Sequence, residues 1–210
     1  MTAQAKGTVE VLKSGFSARP ESVPLSQTNL PRWPAPSLMA KAPGCTYLAY
    51  CANPGAAEWL VAQTCLTESE IRAVGVCDEQ LETAMGTDLV SAPAATRIVL
   101  CGPEPFVAVS AAVARTQGAL DEELVHLVLD DLAHDEIDER PRDRRVFCGG
   151  CRTISVAHAA VGDLVSCSGC DTAVIVHFHY SRDTAAYLAQ PIGRARRRSQ
   201  LRPTPSGEDA

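Results

Sequence analysis

Four short runs of near-continuous apolar residues punctuate the middle of the chain: 47–51 (Tyr-Leu-Ala-Tyr-Cys), 71–77, 97–101 and 124–129. None alternates strictly between apolar and polar, so each predicts a strand buried on both faces. Helical stretches separate them. Asn53-Pro54-Gly55 closes the first run as a turn signal, and 56–66 reads as a helix with Trp59, Leu60 and Val61 apolar. Residues 79–85 predict a short helix that Gly86 ends as a C-terminal cap. Gly102-Pro103-Glu104-Pro105 follows the third run, and a helix over 106–116 is closed by Gly118. Strands alternating with helices predict a parallel sheet with right-handed crossovers. The expected fold class is α/β, a small doubly wound parallel sheet over 45–130, followed by a zinc-ribbon or rubredoxin-like β module.

The flanks differ. Residues 1–44 carry Pro20, Pro24, Pro31, Pro34, Pro36 and Pro43 with no sustained period, which predicts an extended or disordered arm. Trp33, in Pro-Arg-Trp-Pro, is placed there as an anchor on a partner. Residues 131–145 form a charged linker, acidic from Asp131 to Glu139 and basic at Arg140, Arg142, Arg144 and Arg145. A four-cysteine ribbon is expected over 146–188, ending in a short helix at 181–188. A disordered basic tail over 189–210 holds Arg194, Arg196, Arg197, Arg198 and Arg202.

Composition narrows the function. The formal net charge of −6 does not point to nucleic acid as the main partner. No apolar run reaches the roughly 20 residues that cross a bilayer, and the N-terminus lacks a signal-peptide pattern. A cytoplasmic protein is expected. Nine cysteines in such a chain point to metal binding and free thiols, not disulfides. Most of Cys45, Cys51, Cys65, Cys77 and Cys101 are expected as small buried hydrophobes.

The chemistry concentrates in Cys148-Gly-Gly-Cys151 and Cys167-Ser-Gly-Cys170, fifteen residues apart. Each pair can form a tight knuckle with both sulfurs on one side, and Gly149, Gly150 and Gly169 would permit its unusual backbone angles. The spacer is long enough to go out along 153–156, turn at Gly162-Asp163, and return along 164–166 as a hairpin. Facing knuckles give four thiolates around one metal ion, with Cys148, Cys151, Cys167 and Cys170 as ligands. Zinc is favoured, and iron fits the same set. The strand over 173–179 places Val174, Val176 and Phe178 on one face and Ile175, His177 and His179 on the other.

Two resemblances extend this reading. Residues 98–130, with Val-Leu-Cys101-Gly102-Pro103-Glu104-Pro105-Phe106, resemble the last βαβ unit of the NAD(P)-binding module of ferredoxin-reductase-like flavoenzymes. The arm is too short for their flavin-binding barrel, and the turn at 52–56 offers a single glycine where a pyrophosphate needs close approach. The expectation is a reductase-like scaffold without dinucleotide binding. The cysteine pairs together with His177-Phe-His179-Tyr-Ser-Arg182 and Ala185-Ala-Tyr187-Leu188 resemble the dimethylamine monooxygenase subunit DmmA-like family.

That family implies a non-haem subunit of a multicomponent, haem-dependent, NADPH-using monooxygenase acting on secondary amines such as dimethylamine. Haem, flavin and NADPH would sit on partner subunits: a haem-containing oxygenase and a flavin/iron-sulfur reductase. This chain would bridge them structurally or as an electron-transfer relay. No catalytic residue stands out, and no cofactor-binding residue is assigned outside the cysteines. The alternative is a zinc-ribbon adaptor binding nucleic acid or protein with no redox role.

Overall fold

The computed structural model describes residues 29–31, 33, 42–75, 78–129 and 140–192. The charged stretch 130–139, Cys77 and the arginine-rich tail from 193 onward lie outside them. The first half forms β1 (Thr46–Cys51), α1 (Pro54–Gln63), β2 (Ile71–Val74), α2 (Asp78–Ser91), β3 (Thr96–Gly102), α3 (Glu104–Thr116) and β4 (Leu124–Val128). The four strands pair in parallel in the order β2-β1-β3-β4. One face packs on α1 through Tyr47, Ala49, Cys51, Val99, Cys101, Ala57 and Leu60. The other packs on α2 and α3 through Tyr50, Ile98, Leu100, Leu81, Met85 and Val107. Both faces of each central strand are thus covered, which is why their sequences show no alternation.

α2 departs from expectation. It runs past Gly86 to Ser91, so Gly86 is a helix-interior residue and not a cap. A Cβ there would meet the Gln117 amide at 3.3 Å, so the glycine marks the close approach of α2 to the end of α3. Gly118, at φ +97, closes α3 as expected.

The second sheet contains β5 (Arg142–Cys148), β6 (Ile154–Ala159), β7 (Leu164–Ser166), β8 (Ala173–Ser181) and β9 (Ala186–Pro191), in the order β6-β5-β9-β8-β7. The spacer does go out and back, but its arms do not pair with each other. β6 pairs with β5 and β7 with β8, at opposite edges of the sheet. β9 lies between them, parallel to β5 and antiparallel to β8. The helix expected over 181–188 is instead the β8–β9 turn and the start of β9. Tyr180 pairs with Tyr187 and Ser181 with Ala186, and the tyrosine rings meet edge-on at 5.1 Å. β5 takes in arginines expected in the linker, and β9 extends past 188 to Pro191. Along β8, Val174 and Val176 are buried and His179 is exposed, in line with the predicted faces.

Trp33 is not an outward-facing anchor. It is 7% exposed and lies in the chain's own core, with its ring 5.3 Å from that of His126. Asn29 fixes the same segment: its Nδ2 donates to the Tyr180 carbonyl at 2.6 Å, and its Oδ1 accepts from the Tyr180 amide at 3.1 Å. Of the non-knuckle cysteines, Cys51 and Cys101 are buried, Cys45 is half-buried and Cys65 is exposed.

Candidate metal centre

Each Cys-x-x-Cys sits at the tip of a hairpin, between β5 and β6 or between β7 and β8. The two turns share one backbone pattern. The first cysteine's amide donates across the hairpin, from Cys148 to the Thr153 carbonyl at 2.9 Å and from Cys167 to the Thr172 carbonyl at 3.0 Å. Its carbonyl accepts from the residue after the second cysteine, Arg152 or Asp171, each at 2.8 Å. Both of those residues adopt left-handed backbone, at φ +67 and φ +53. The glycines inside the knuckles therefore do not supply the unusual angles, which is a correction to their expected role. They supply room. A Cβ on Gly169 would press into the Thr153 side chain, 2.8 Å from its Cβ, so the two knuckles touch there. Gly149 donates its amide to the Ala189 carbonyl at 2.7 Å, seating the first knuckle on β9.

The four Sγ atoms converge to within 4.8 Å of one another, and those of Cys151 and Cys167 are 3.5 Å apart. Four thiolates at about 2.3 Å from a zinc ion would lie roughly 3.8 Å apart at the corners of a tetrahedron. The cluster is thus close to the size a metal requires, and none of the four forms a disulfide. Cys148 and Cys167 are buried, whereas Cys151 and Cys170 are exposed, so two sulfurs face the core and two face solvent. The Gly169 amide donates to the Cys167 sulfur at 3.4 Å, the kind of contact that stabilises a thiolate. The Thr153 hydroxyl, 3.3 Å from the Cys151 sulfur, brings that thiol down to about 6. Burial lifts Cys167 to about 11. His177 and His179 do not join the cluster.

Residues 145–189 match the family model described as dimethylamine monooxygenase subunit DmmA-like, C-terminal domain. The resemblance carried by the knuckles and the tail from His177 to Leu188 is borne out over that span. No curated protein and no solved structure matches the chain. The α/β sheet lies outside the DmmA-like match.

The end of that α/β sheet, where the order reverses between β1 and β3, is where a dinucleotide would bind in such folds. Asn53 Oδ1 already accepts from the Ala56 amide at 2.9 Å, one of the donors a phosphate would use. Ala52 packs on Gly102, and its amide donates to the Cys101 carbonyl at 2.9 Å. A Cβ on Gly102 would collide with Ala52, so the two strand ends are in direct contact.

The sequence reading missed the junction of the two sheets. Glu104, in the first turn of α3, is 2% exposed. It is paired with Arg142 Nε of β5 at 2.8 Å and accepts from the Tyr187 hydroxyl of β9 at 2.8 Å. Arg144, fully buried, lies over the Tyr187 ring at 5.3 Å and donates to the Ala159 carbonyl. A glutamate at a helix start ordinarily reads as a solvated, dipole-favoured charge. Its buried neighbours come from strands whose register the sequence does not reveal. No helix among the described residues is long and apolar enough to cross a membrane.

Proposed function

We propose that this chain is a non-haem subunit of a multicomponent, haem-dependent, NADPH-using monooxygenase of secondary amines such as dimethylamine. In it, Cys148, Cys151, Cys167 and Cys170 hold one metal ion, zinc in preference to iron. The observation that carries the reading is the coincidence of the DmmA-like match with four sulfurs gathered to metal-binding size. Zinc would supply folding free energy to a module with a small core and no redox chemistry. The chain's role is then to hold a haem-containing oxygenase subunit and a flavin/iron-sulfur reductase subunit together. The α/β sheet serves as a scaffold without nucleotide, a reading favoured by the self-capped Asn53 turn and the Ala52–Gly102 contact. Exposure of Cys151 and Cys170 favours a second role, since two sulfurs at the surface would let an iron ion exchange electrons with a docked partner.

Metal analysis and an absorption spectrum of the purified chain separate the two roles. One zinc per chain and no visible absorption is the expected result. Thiolate-to-iron bands that bleach with dithionite would instead make the centre a relay. Cys167→Ser should lose the metal and unfold the second sheet, and unchanged metal content would overturn the ligand assignment. Co-expression with a haem subunit should give a complex that co-purifies through this chain. Failure to form one would overturn the assembly role while leaving the metal site standing.

A further inference from the structure

The two knuckles repeat one pattern, Cys-x-Gly-Cys-x-Thr, from Cys148 to Thr153 and from Cys167 to Thr172. Each therefore carries a threonine two residues after its exposed cysteine, Cys151 or Cys170. The repeat is not symmetric in space. Thr153 Oγ1 lies 3.3 Å from the Cys151 sulfur. The same side chain fills the space beside Gly169 of the other knuckle, where a Cβ would fall 2.8 Å from the Thr153 Cβ. Thr172 Oγ1 lies 3.2 Å from the Cys170 carbonyl oxygen. Gly150, the counterpart of Gly169, has Pro191 beside it, 3.0 Å from where its Cβ would stand. Thr153 thus touches a sulfur of its own knuckle and the backbone of the opposite one.

The chemistry of a filled site gives that contact a direction. A metal-bound thiolate carries no proton, so the Thr153–Cys151 contact can only run from the hydroxyl to the sulfur. Four thiolates outweigh the charge of a divalent ion, and a donor of this kind draws charge from the sulfur and fixes its direction. Cys151 is exposed, so it is a sulfur that an electrophile or a competing proton can reach. The backbone holds Thr153 ready for this, because its carbonyl accepts from the Cys148 amide at 2.9 Å.

We infer that Thr153 is a positioning residue of the metal centre, whose hydroxyl holds the exposed Cys151 thiolate on the ion and shields that sulfur from attack. The inference rests on the four-cysteine metal reading and adds to it a residue outside the ligand set.

Cobalt(II) is the probe, because its bonds to sulfur absorb in the near-ultraviolet and the position of that band reports the charge on the sulfurs. Thr153→Val keeps the branched shape and loses the hydroxyl. In the full-length variant the sulfur-to-cobalt band should move to longer wavelength, and chelator competition should show the metal held at least about tenfold more weakly. Iodoacetamide followed by peptide mass mapping should label Cys151 at least about fivefold faster than in the wild type, and faster relative to Cys170. Thr153→Ser keeps the donor and should return the band, the affinity and the Cys151 rate to near wild-type values. If Thr153 acted by packing alone, the valine variant would keep the wild-type band and the serine variant, which lacks the methyl, would bind the more weakly of the two. That result would overturn the inference. Cobalt uptake by the wild type with the same band and the same Cys151 rate in Thr153→Val would also overturn it, while leaving the metal reading intact. No cobalt uptake by the wild type would overturn both.

Discussion

Gly169 is where the two knuckles meet, and its lack of a side chain is what lets them close. In Gly169→Ala the new Cβ enters the space of the Thr153 side chain, whose Cβ would be 2.8 Å away. Forcing a methyl into a packed contact costs about 1–3 kcal/mol. Metal affinity should therefore fall roughly tenfold to hundredfold in chelator competition. Combining it with Thr153→Gly should restore only part of the loss, because the knuckle bond from Cys148 uses the Thr153 backbone but the hydroxyl on the Cys151 sulfur goes with the side chain. His126 offers a second test at this scale. Its folded value of about 4 lies below the ordinary 6.5, chiefly because burial penalises the charged ring, with Arg115 and Arg182 adding to this and Asp121 opposing it. The unfolded chain takes up this proton as pH drops below about 6.5, while the folded chain does not until about 4. Stability from this group is thus full above 6.5 and is lost between the two values. Measured at about pH 7 and about pH 5, the unfolding free energy should drop by about 2 kcal/mol more in the wild type than in His126→Gln. Metal loss on acidification affects both proteins alike and cancels in the comparison.

Two glycines that look alike in sequence should respond in opposite ways when changed to alanine. Gly86 lies inside α2, and a Cβ there meets only the end of the Gln117 side chain, at 3.3 Å, which can swing aside. Removing a helix-interior glycine stabilises by roughly 0.5–1 kcal/mol, so Gly86→Ala should raise the denaturation midpoint. Gly102 has φ +155, and a Cβ there meets Ala52, with Phe106 at 3.2 Å. Gly102→Ala should lower the midpoint by well over 1 kcal/mol equivalent. The same pair shows what the sequence could reveal at this scale. β1, β3 and β4 were legible because both their faces are buried, leaving runs such as Ile98 to Cys101 without polar breaks. The cysteine knuckles were legible because their spacing is itself the chemistry. Gly86 was not, since a glycine after a helical pattern looks the same whether it ends the helix or lets Gln117 approach. Ala186 to Leu188 was not, because three residues fit either a helix or a strand, and pairing with Tyr180 and Ser181 decided it. Trp33 was not, because its partner His126 lies far along the chain and the prolines around it resemble those of a free arm.

The whole molecule turns on Glu104. It belongs to α3, yet it is paired with Arg142 and Tyr187 of the cysteine-bearing sheet. A carboxylate that is 2% exposed stays ionised only where such partners accompany it. The contact therefore exists only while the second sheet is folded, and that sheet's folding leans on its metal. The two sheets also share one apolar cluster, running from Val107 and Ala111 of α3 to Val146, Tyr180 and Tyr187. Stripping the metal should then loosen more than the ribbon. Hydrogen exchange should show α3 amides losing at least about tenfold protection together with β5 to β9. Tyr187→Phe makes the coupling measurable, because it removes one hydroxyl and leaves the ring stack on Tyr180 and the Arg144 contact available. In the metal-loaded chain the variant should cost about 1–3 kcal/mol, the penalty for a buried carboxylate that loses a donor. In the metal-free chain, where Tyr187 no longer reaches Glu104, the same substitution should cost close to nothing. An equal cost in both states would show that the junction holds without the metal, and that the two sheets fold independently.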